Sequence, residues 1–477
     1  MYKHRLIAYA VAAAAGAFAL PAQVTAASGD ELKELREQVR QLRESYERRI
    51  EALEKRLQQT EQSAGKAEAA ATQAQSAATQ AAAQASARSA SESAFNPGIS
   101  LILNGTYGNL KRDPAGYRIN GFAPTQGEVA PPNRGLSLGE SELVMSANID
   151  PYFRGTLIAA IAPDDAIAVE EAHLQTLRLP SGFTLKAGRF FSSVGYQNEV
   201  HAHFWDFTDA SLANKVFLGG RLAEDGVQVK WVAPTELYFD VGIEAGRGRS
   251  FPAGPQGGRS KNGVGSGTLF AHLGGDIGTS TAWRIGLSRF QTSPRDRTYD
   301  DLDAAGVGVT NAFTGKSQLW VVDGVLKWAP NGNASQTNFK LQGEYFRRNE
   351  SGNLTYDTAA ASLGTQTADY ASRQSGYYAQ AVYQFMPRWR AGYRYDRLSA
   401  GTTSIGLVNS GALTAADFPL LSAYNPTRNT FMVDWSPSEF SRLRLQFARD
   451  RSQFGASDSQ VFLQYIMSLG AHGAHKF

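Results

Sequence analysis

The chain has 477 residues, with 47 basic and 44 acidic side chains, 47 glycines, 11% aromatics and no cysteine. The missing cysteine excludes disulfides, thiolate metal centres and thiol nucleophiles, and a net charge of +3 argues against a nucleic-acid binder. Charged residues stand at 19%, below the ~25% of ordinary domains, and mean hydropathy is −0.32, which fits a β-rich chain of alternating polarity better than a helical membrane protein.

Lys3, His4 and Arg5 precede an apolar run from Leu6 to Leu20, and Val24-Thr25-Ala26 places small residues before a cut at Ala27. That is the layout of a secretory signal peptide over 1–26. The run is shorter than the ~20 residues of a helical span, and no later stretch approaches that length. An exported chain of this kind enters a membrane only as a β-barrel.

Residues 27–63 predict a coiled-coil stalk, with a stripe of Leu32, Leu35, Val39, Leu42, Tyr46, Ile50, Leu53 and Leu57. So polar a helix is marginal alone, so the seam expects a partner helix; an amphipathic helix lying on its own domain is the alternative. Residues 64–96, almost all Ala, Gln, Ser and Thr, predict either continued helix or a flexible linker. Asn96-Pro97-Gly98 ends helical character.

From 97 to 477 the period changes to two. Leu237, Phe239, Val241, Ile243 and Ala245 alternate with Glu236, Tyr238, Asp240, Gly242 and Glu244; Trp389, Ala391, Tyr393 and Tyr395 alternate with Arg388, Arg390, Arg394 and Asp396. Carried along the chain, this predicts sixteen strands at 99–108, 136–149, 152–162, 166–179, 183–191, 225–233, 236–247, 267–277, 281–292, 316–329, 336–350, 373–386, 388–400, 427–436, 440–452 and 458–471. Apolar parity switches between Val169 and Leu177, which predicts a bulge in the fourth.

Short connectors alternate with long polar ones, giving one short-turn rim and one long-loop rim. The expected fold is an all-β transmembrane antiparallel barrel, with the stalk on the periplasmic side of a Gram-negative outer membrane. A soluble sandwich of such strands would bury charge. Trp231, Trp283, Trp320, Trp328, Trp389 and Trp435 lie near strand ends, where interfacial girdles form. Val461, Leu463, Tyr465, Met467, Leu469 and Ala471 share one face of the last strand, and Phe477 follows in the same parity, resembling the signal that outer-membrane proteins present to the barrel assembly machinery.

The expected pore lining includes Lys230, Arg388, Arg390, Arg394, Arg442, Arg444, Asp240 and Glu244. A slight basic excess predicts a weak anion preference, unless opposite charges pair across the wall. The connection 192–224 carries Tyr196, Phe204, Trp205, Phe207 and Phe217, too many aromatics for a free surface loop, and is expected to fold inward as the constriction. The constriction set is Lys186, Arg189, Tyr196, Trp205 and Lys215.

The same loop holds His201, His203 and Asp206, a set able to bind Zn²⁺. His472 and His475 repeat the theme in the tail. No other cofactor is expected. A divalent-metal uptake channel is therefore an alternative to a general porin, and an envelope tether with a sealed barrel is another. No Ser/His/Asp arrangement supports an enzyme.

The signal peptide, stalk, sixteen strands and terminal Phe resemble the phosphate-selective porin family. Leu185-Lys186-Ala187-Gly188-Arg189-Phe190 followed by Gly195 is similar to that family's passage into its third long loop. The resemblance implies a homotrimer in outer-membrane lipid, with passive diffusion of small, often anionic solutes.

Overall fold

The computed structural model describes residues 97–470 except 125–128, 163–165 and 255–261, together with 33, 37, 40, 41, 43–45 and 47–55. The chain divides into two units, residues 1–91 and 92–477. In the first, the described residues are helical, Ile50 and Leu53 of the expected stripe are exposed, and Arg43 pairs with Glu47 at 3.0 Å one turn on. The signal peptide, the linker at 64–96, the remaining stripe positions, His472, His475 and Phe477 lie outside the described residues.

In the second unit, side chains alternate across a single antiparallel sheet. Its strands are β1 (Gly98–Leu110), β2 (Gly135–Leu138), β3 (Ser141–Asn148), β4 (Phe153–Ile161), β5 (Ile167–Thr176), β6 (Phe183–Phe191), β7 (Ala223–Val232), β8 (Tyr238–Gly246) and β9 (Ser266–Ile277). They continue as β10 (Thr281–Thr292), β11 (Arg297–Leu302), β12 (Gly308–Trp328), β13 (Asn338–Tyr356), β14 (Gln366–Met386), β15 (Trp389–Ile405), β16 (Thr427–Ser438), β17 (Ser441–Arg451) and β18 (Asp458–Gly470). Apart from the junctions β2/β3 and β10/β11, each pairs with its sequence neighbour, and β1 closes the wall on β18, from Ser100 opposite Gly470 to Leu110 opposite Gln460.

Two of the eighteen are continuations. β2 and β3 both pair with β1, and β10 and β11 both pair with β12, so the wall has sixteen staves. That matches the sequence expectation in number and nearly in position. The wall extends furthest beyond expectation in β12–β15, which run 17 to 21 residues. Their upper parts, with the long-rim loops, enclose a small apolar cluster that includes Phe313, Leu354, Tyr356, Tyr370, Leu407 and Phe418. The expected bulge is present: Ile158 pairs with Glu171 and Ala159 with Val169, leaving Glu170 between them.

The two faces of the wall differ in chemistry. On β13, Leu341 and Tyr345 are 47% and 45% exposed on the outer face, whereas Gln342, Glu344 and Arg348 point inward and are buried. Removing the outer band from water at ~25 cal/mol per Å² requires an apolar surrounding, which hydrocarbon supplies. All six wall tryptophans stand on β7, β10, β12, β15 and β16. Trp389 and Trp435 stack at 6.0 Å near the short-turn rim.

Candidate functional site: the inward loop between β6 and β7

The connection from Ser192 to Leu222 lies against the inward face of the wall, and the wall's polar residues satisfy its backbone. Glu344 accepts from the amides of Tyr196 and Gln197 (2.9 Å for Gln197), Glu244 from Ser193 (2.8 Å), and Asp396 from Leu212 (2.9 Å). Wall guanidiniums donate to its carbonyls: Arg348 to Val216 (3.1 Å), Arg394 to Asp209 (2.8 Å) and Arg444 to Trp205 (2.8 Å). Buried loop backbone is stable only with such partners.

The loop contains one α-helix, Leu212–Leu218, after two short 3-10 turns at Gln197–Glu199 and Ala202–Phe204. The Ser211 side chain caps it by accepting from the Asn214 amide, and Gly219, at φ 67°, ends it in a left-handed turn. Leu212, Val216 and Phe217 pack on inward Phe290, Leu319, Val321, Phe346 and Leu398, with Ile119 and Phe122 from the first long connection. Phe217 stacks on Phe346 at 5.6 Å and meets Phe122 edge-on at 5.8 Å. The loop's inward aromatics follow the expectation, whereas the wall's own inward apolar side chains depart from a uniformly polar lining. The signal was the run Leu319-Trp320-Val321-Val322, apolar on both faces where a water-lined wall would alternate.

Two charged corners flank the helix. In the first, Asp209 takes Arg394 (3.1 Å), Arg428 and Lys215 (3.3 Å), and Asp206 takes Lys340 (2.9 Å) and Arg390 (3.0 Å). Burial opposes the charge of both aspartates, but the surrounding cations outweigh it and hold both well below the ordinary carboxylate range. Burial also lowers Lys215, despite Asp209 beside it.

In the second corner, His201 and His203 meet carboxylates from β3 and β5. His201 Nε2 stands 2.8 Å from Glu171, and His201 Nδ1 stands 3.2 Å from Glu142 and 3.3 Å from Glu170. His203 Nδ1 is 2.9 Å from the other oxygen of Glu142, and Arg221 bridges Glu140 and Glu170 at 2.6 Å each. Burial works against charge on His201, yet the three carboxylates raise its pKa well above the ordinary value. Burial prevails at His203 and lowers it.

The predicted residues therefore separate. His201 and His203 lie together, but Asp206 does not join them: it is drawn to the Lys340–Arg390 side, and Glu142, Glu170 and Glu171 take its place. Arg189 is not at a constriction. It shares the outward parity of Leu185 and Ala187 and pairs with outward Asp225 at 2.6 Å. Arg388 is not in the lining either, because it occupies the tight turn between β14 and β15 at φ 70° and is exposed.

Lys186 points inward over Phe190, and Tyr196 lies beneath Arg284 and Lys340 at 5.1 and 5.3 Å. Trp205 lies under Arg221, and Lys215 is buried. Lys230 is 3.9 Å from Asp240, which also receives His272 at 2.7 Å; Glu244 holds the start of the loop. Arg390 and Arg442 are half-buried, whereas Arg394 and Arg444 are fully buried against the loop.

No protein-family model matches the chain. A protein of Aquifex aeolicus (strain VF5), described as uncharacterized, is 32% identical over 413 residues, covering 80% of each chain. Similar solved structures include the loop L8 deletion mutant of OmpT, an outer membrane protein of Vibrio cholerae (TM-score 0.46, 10% identity, 78% of this chain and 99% of that one). OprB of Pseudomonas putida gives a TM-score of 0.45 at 12% identity, covering 78% and 94%, and an anion-selective porin from Comamonas acidovorans 0.44 at 10%, covering 78% and 99%. By identity and coverage, the chain belongs to the same family as the Aquifex aeolicus protein.

Proposed function

We propose that the barrel is an outer-membrane porin that lets small hydrophilic solutes diffuse passively, with the loop 192–224 as its constriction and a weak preference for anions. The observation that carries this reading is the closed wall with an apolar exterior and a charged interior, across which the loop is folded. On the short-turn side of the loop, the inward residues only half-buried include Lys186, Lys230, Lys327, Lys340, Arg390 and Arg442. The carboxylates Asp206, Asp240 and Asp434 are buried behind them. A permeating ion therefore meets cationic ends first, which favours anions.

In this reading the exported stalk at 27–63 is periplasmic. On the opposite side, Arg347, Arg373, Arg397 and Arg449 face outward and exposed, suited to anionic head groups. The wall from β17 through β1 to β6 carries no tryptophan, and this arc is where neighbouring copies of a homotrimer would cover the girdle-free surface.

Planar-bilayer conductance of the purified protein tests the reading. The expected result is ohmic steps, a reversal potential in a KCl gradient on the anion side, and larger steps on deletion of 197–215. Replacing chloride with phosphate tests the resemblance to phosphate-selective porins. The apolar cluster around Phe217 favours one rival, a sealed barrel serving as an anchor. Parent protein that gives neither conductance nor liposome swelling would establish that rival.

A further inference from the structure

We propose that the corner formed by Glu142, Glu170 and His201 is a divalent transition-metal site that staples the loop to the wall. Three atoms converge there: Glu142 Oε2, Glu170 Oε2 and His201 Nδ1. All three are buried and make no hydrogen bond outside the group, their approaches being to one another, with His201 Nδ1 3.2 and 3.3 Å from the two oxygens, and all lie within 4.8 Å of one another. Each residue's other polar atom is engaged elsewhere. Glu142 Oε1 meets His203 (2.9 Å), Glu170 Oε1 meets Arg221 (2.6 Å), and His201 Nε2 meets Glu171 (2.8 Å).

That division of labour is what a metal site requires. A ligating imidazole donates its other N–H to a carboxylate, which fixes the tautomer and aims the free nitrogen, and Glu171 is placed to accept from Nε2. The nitrogen-to-oxygen separations of 3.2 and 3.3 Å stand at the short end of a tetrahedral edge, since metal–ligand bonds of ~2.0–2.2 Å give edges of about 3.3–3.6 Å.

The fold has a device for each ligand. Glu142 points inward from β3. Glu170 would face away if β5 were regular, but the bulge after Val169 turns it in beside Glu171. The loop supplies His201. The side chains of Glu170 and His201 keep 10% and 12% exposure, while the three converging atoms themselves are buried. Two carboxylates and one imidazole suit Zn²⁺ better than Ca²⁺ or Mg²⁺, which favour all-oxygen shells. This inference stands whether or not the barrel conducts.

The test is calorimetric titration of the full chain, folded in detergent and stripped with EDTA, with ZnCl₂. The parent is a His472→Ala/His475→Ala variant, so that the tail contributes nothing. We expect one Zn²⁺ per chain, with affinity reduced at least ~10-fold in Glu170→Gln and in His201→Ala, and ~10- to 100-fold in Glu171→Gln. CaCl₂ should give no comparable heat. Zn²⁺ should also slow amide exchange in 192–204. Heat-modifiable electrophoretic mobility identifies variants that retain the barrel, and Glu171→Gln leaves all three ligands in place.

Absence of Zn²⁺ binding by the parent at 100-fold excess overturns the site, as does binding that none of the three substitutions weakens. The corner is then a charge-paired anchor. A barrel that conducts without binding Zn²⁺ would refute this inference alone; one that binds Zn²⁺ without conducting would refute only the porin reading.

Discussion

The two ends of the inward loop are fastened by opposite arrangements. At residues 205–218 the loop contributes carboxylates and the wall contributes guanidiniums. There Asp209 Oδ1 receives Arg394 and Gln446, while Oδ2 receives Arg428 and Lys215. At residues 192–203 the wall contributes carboxylates and the loop contributes imidazoles, and three atoms of Glu142, Glu170 and His201 converge without a hydrogen bond outside their group. Matched charges in a buried corner make an anchor; a surplus of convergent lone pairs makes room for a cation. The first corner also rests on the Phe217 cluster, whereas beside the second Phe191 meets His201 edge-on at 4.9 Å and Phe204 lies 4.0 Å from His203.

Perturbing each corner separately should break or sharpen this contrast. Asp209→Ala leaves Arg394, Arg428 and Lys215 buried without their shared partner, at ~3–5 kcal/mol. Amide exchange in 207–218 should accelerate by roughly two to four orders of magnitude, while 192–203 changes far less. Phe217→Ala should cost ~3–5 kcal/mol in the same segment by opening a cavity between Phe122 and Phe346, with conductance noise rising in bilayer recordings. Equal acceleration of both segments in either variant would show that the loop moves as one body.

His201→Ala in metal-free protein should cost less, ~1–3 kcal/mol, and loosen only 192–203. The same corner should respond to pH. Glu142, Glu170 and Glu171 raise the folded pKa of His201, so the stabilisation is complete below about pH 6.5 and is lost as pH rises through the raised value. The Asp209 carboxyl, held depressed by its cations, should stay charged across that range, and Lys215 beside it, lowered by burial, is the group of that corner that responds as pH rises. Exchange measured from pH 6 to 9 in EDTA checks both halves. The smallest effect is expected from Lys340→Gln, which removes one half-buried cation and should move the reversal potential slightly toward the cation side.

Much of the wall was legible. Period-two alternation located all sixteen staves, and the parity switch after Val169 located the bulge, because a closed wall between hydrocarbon and a polar interior forces every strand to declare its two faces. The same rule could have placed Arg189, which follows Leu185 and Ala187 in the outward register across Gly188. Arg388 follows Pro387 in a two-residue turn, where alternation no longer assigns a face. The upper parts of β12 to β15 were missed because their polar stretches read as loop until neighbouring strands pair with them.

The sequence by itself determined the barrel, its stave count and the burial of an aromatic loop, since these follow from local alternation and composition. Only the tertiary structure decided which charges meet. Glu142, Glu170 and His201 come from β3, β5 and the loop, and Asp206 lies only five residues from His201 yet turns to Lys340 and Arg390. Spacing along a chain constrains neighbours on one strand, but partners across a barrel are set by closure and register, which no local pattern encodes.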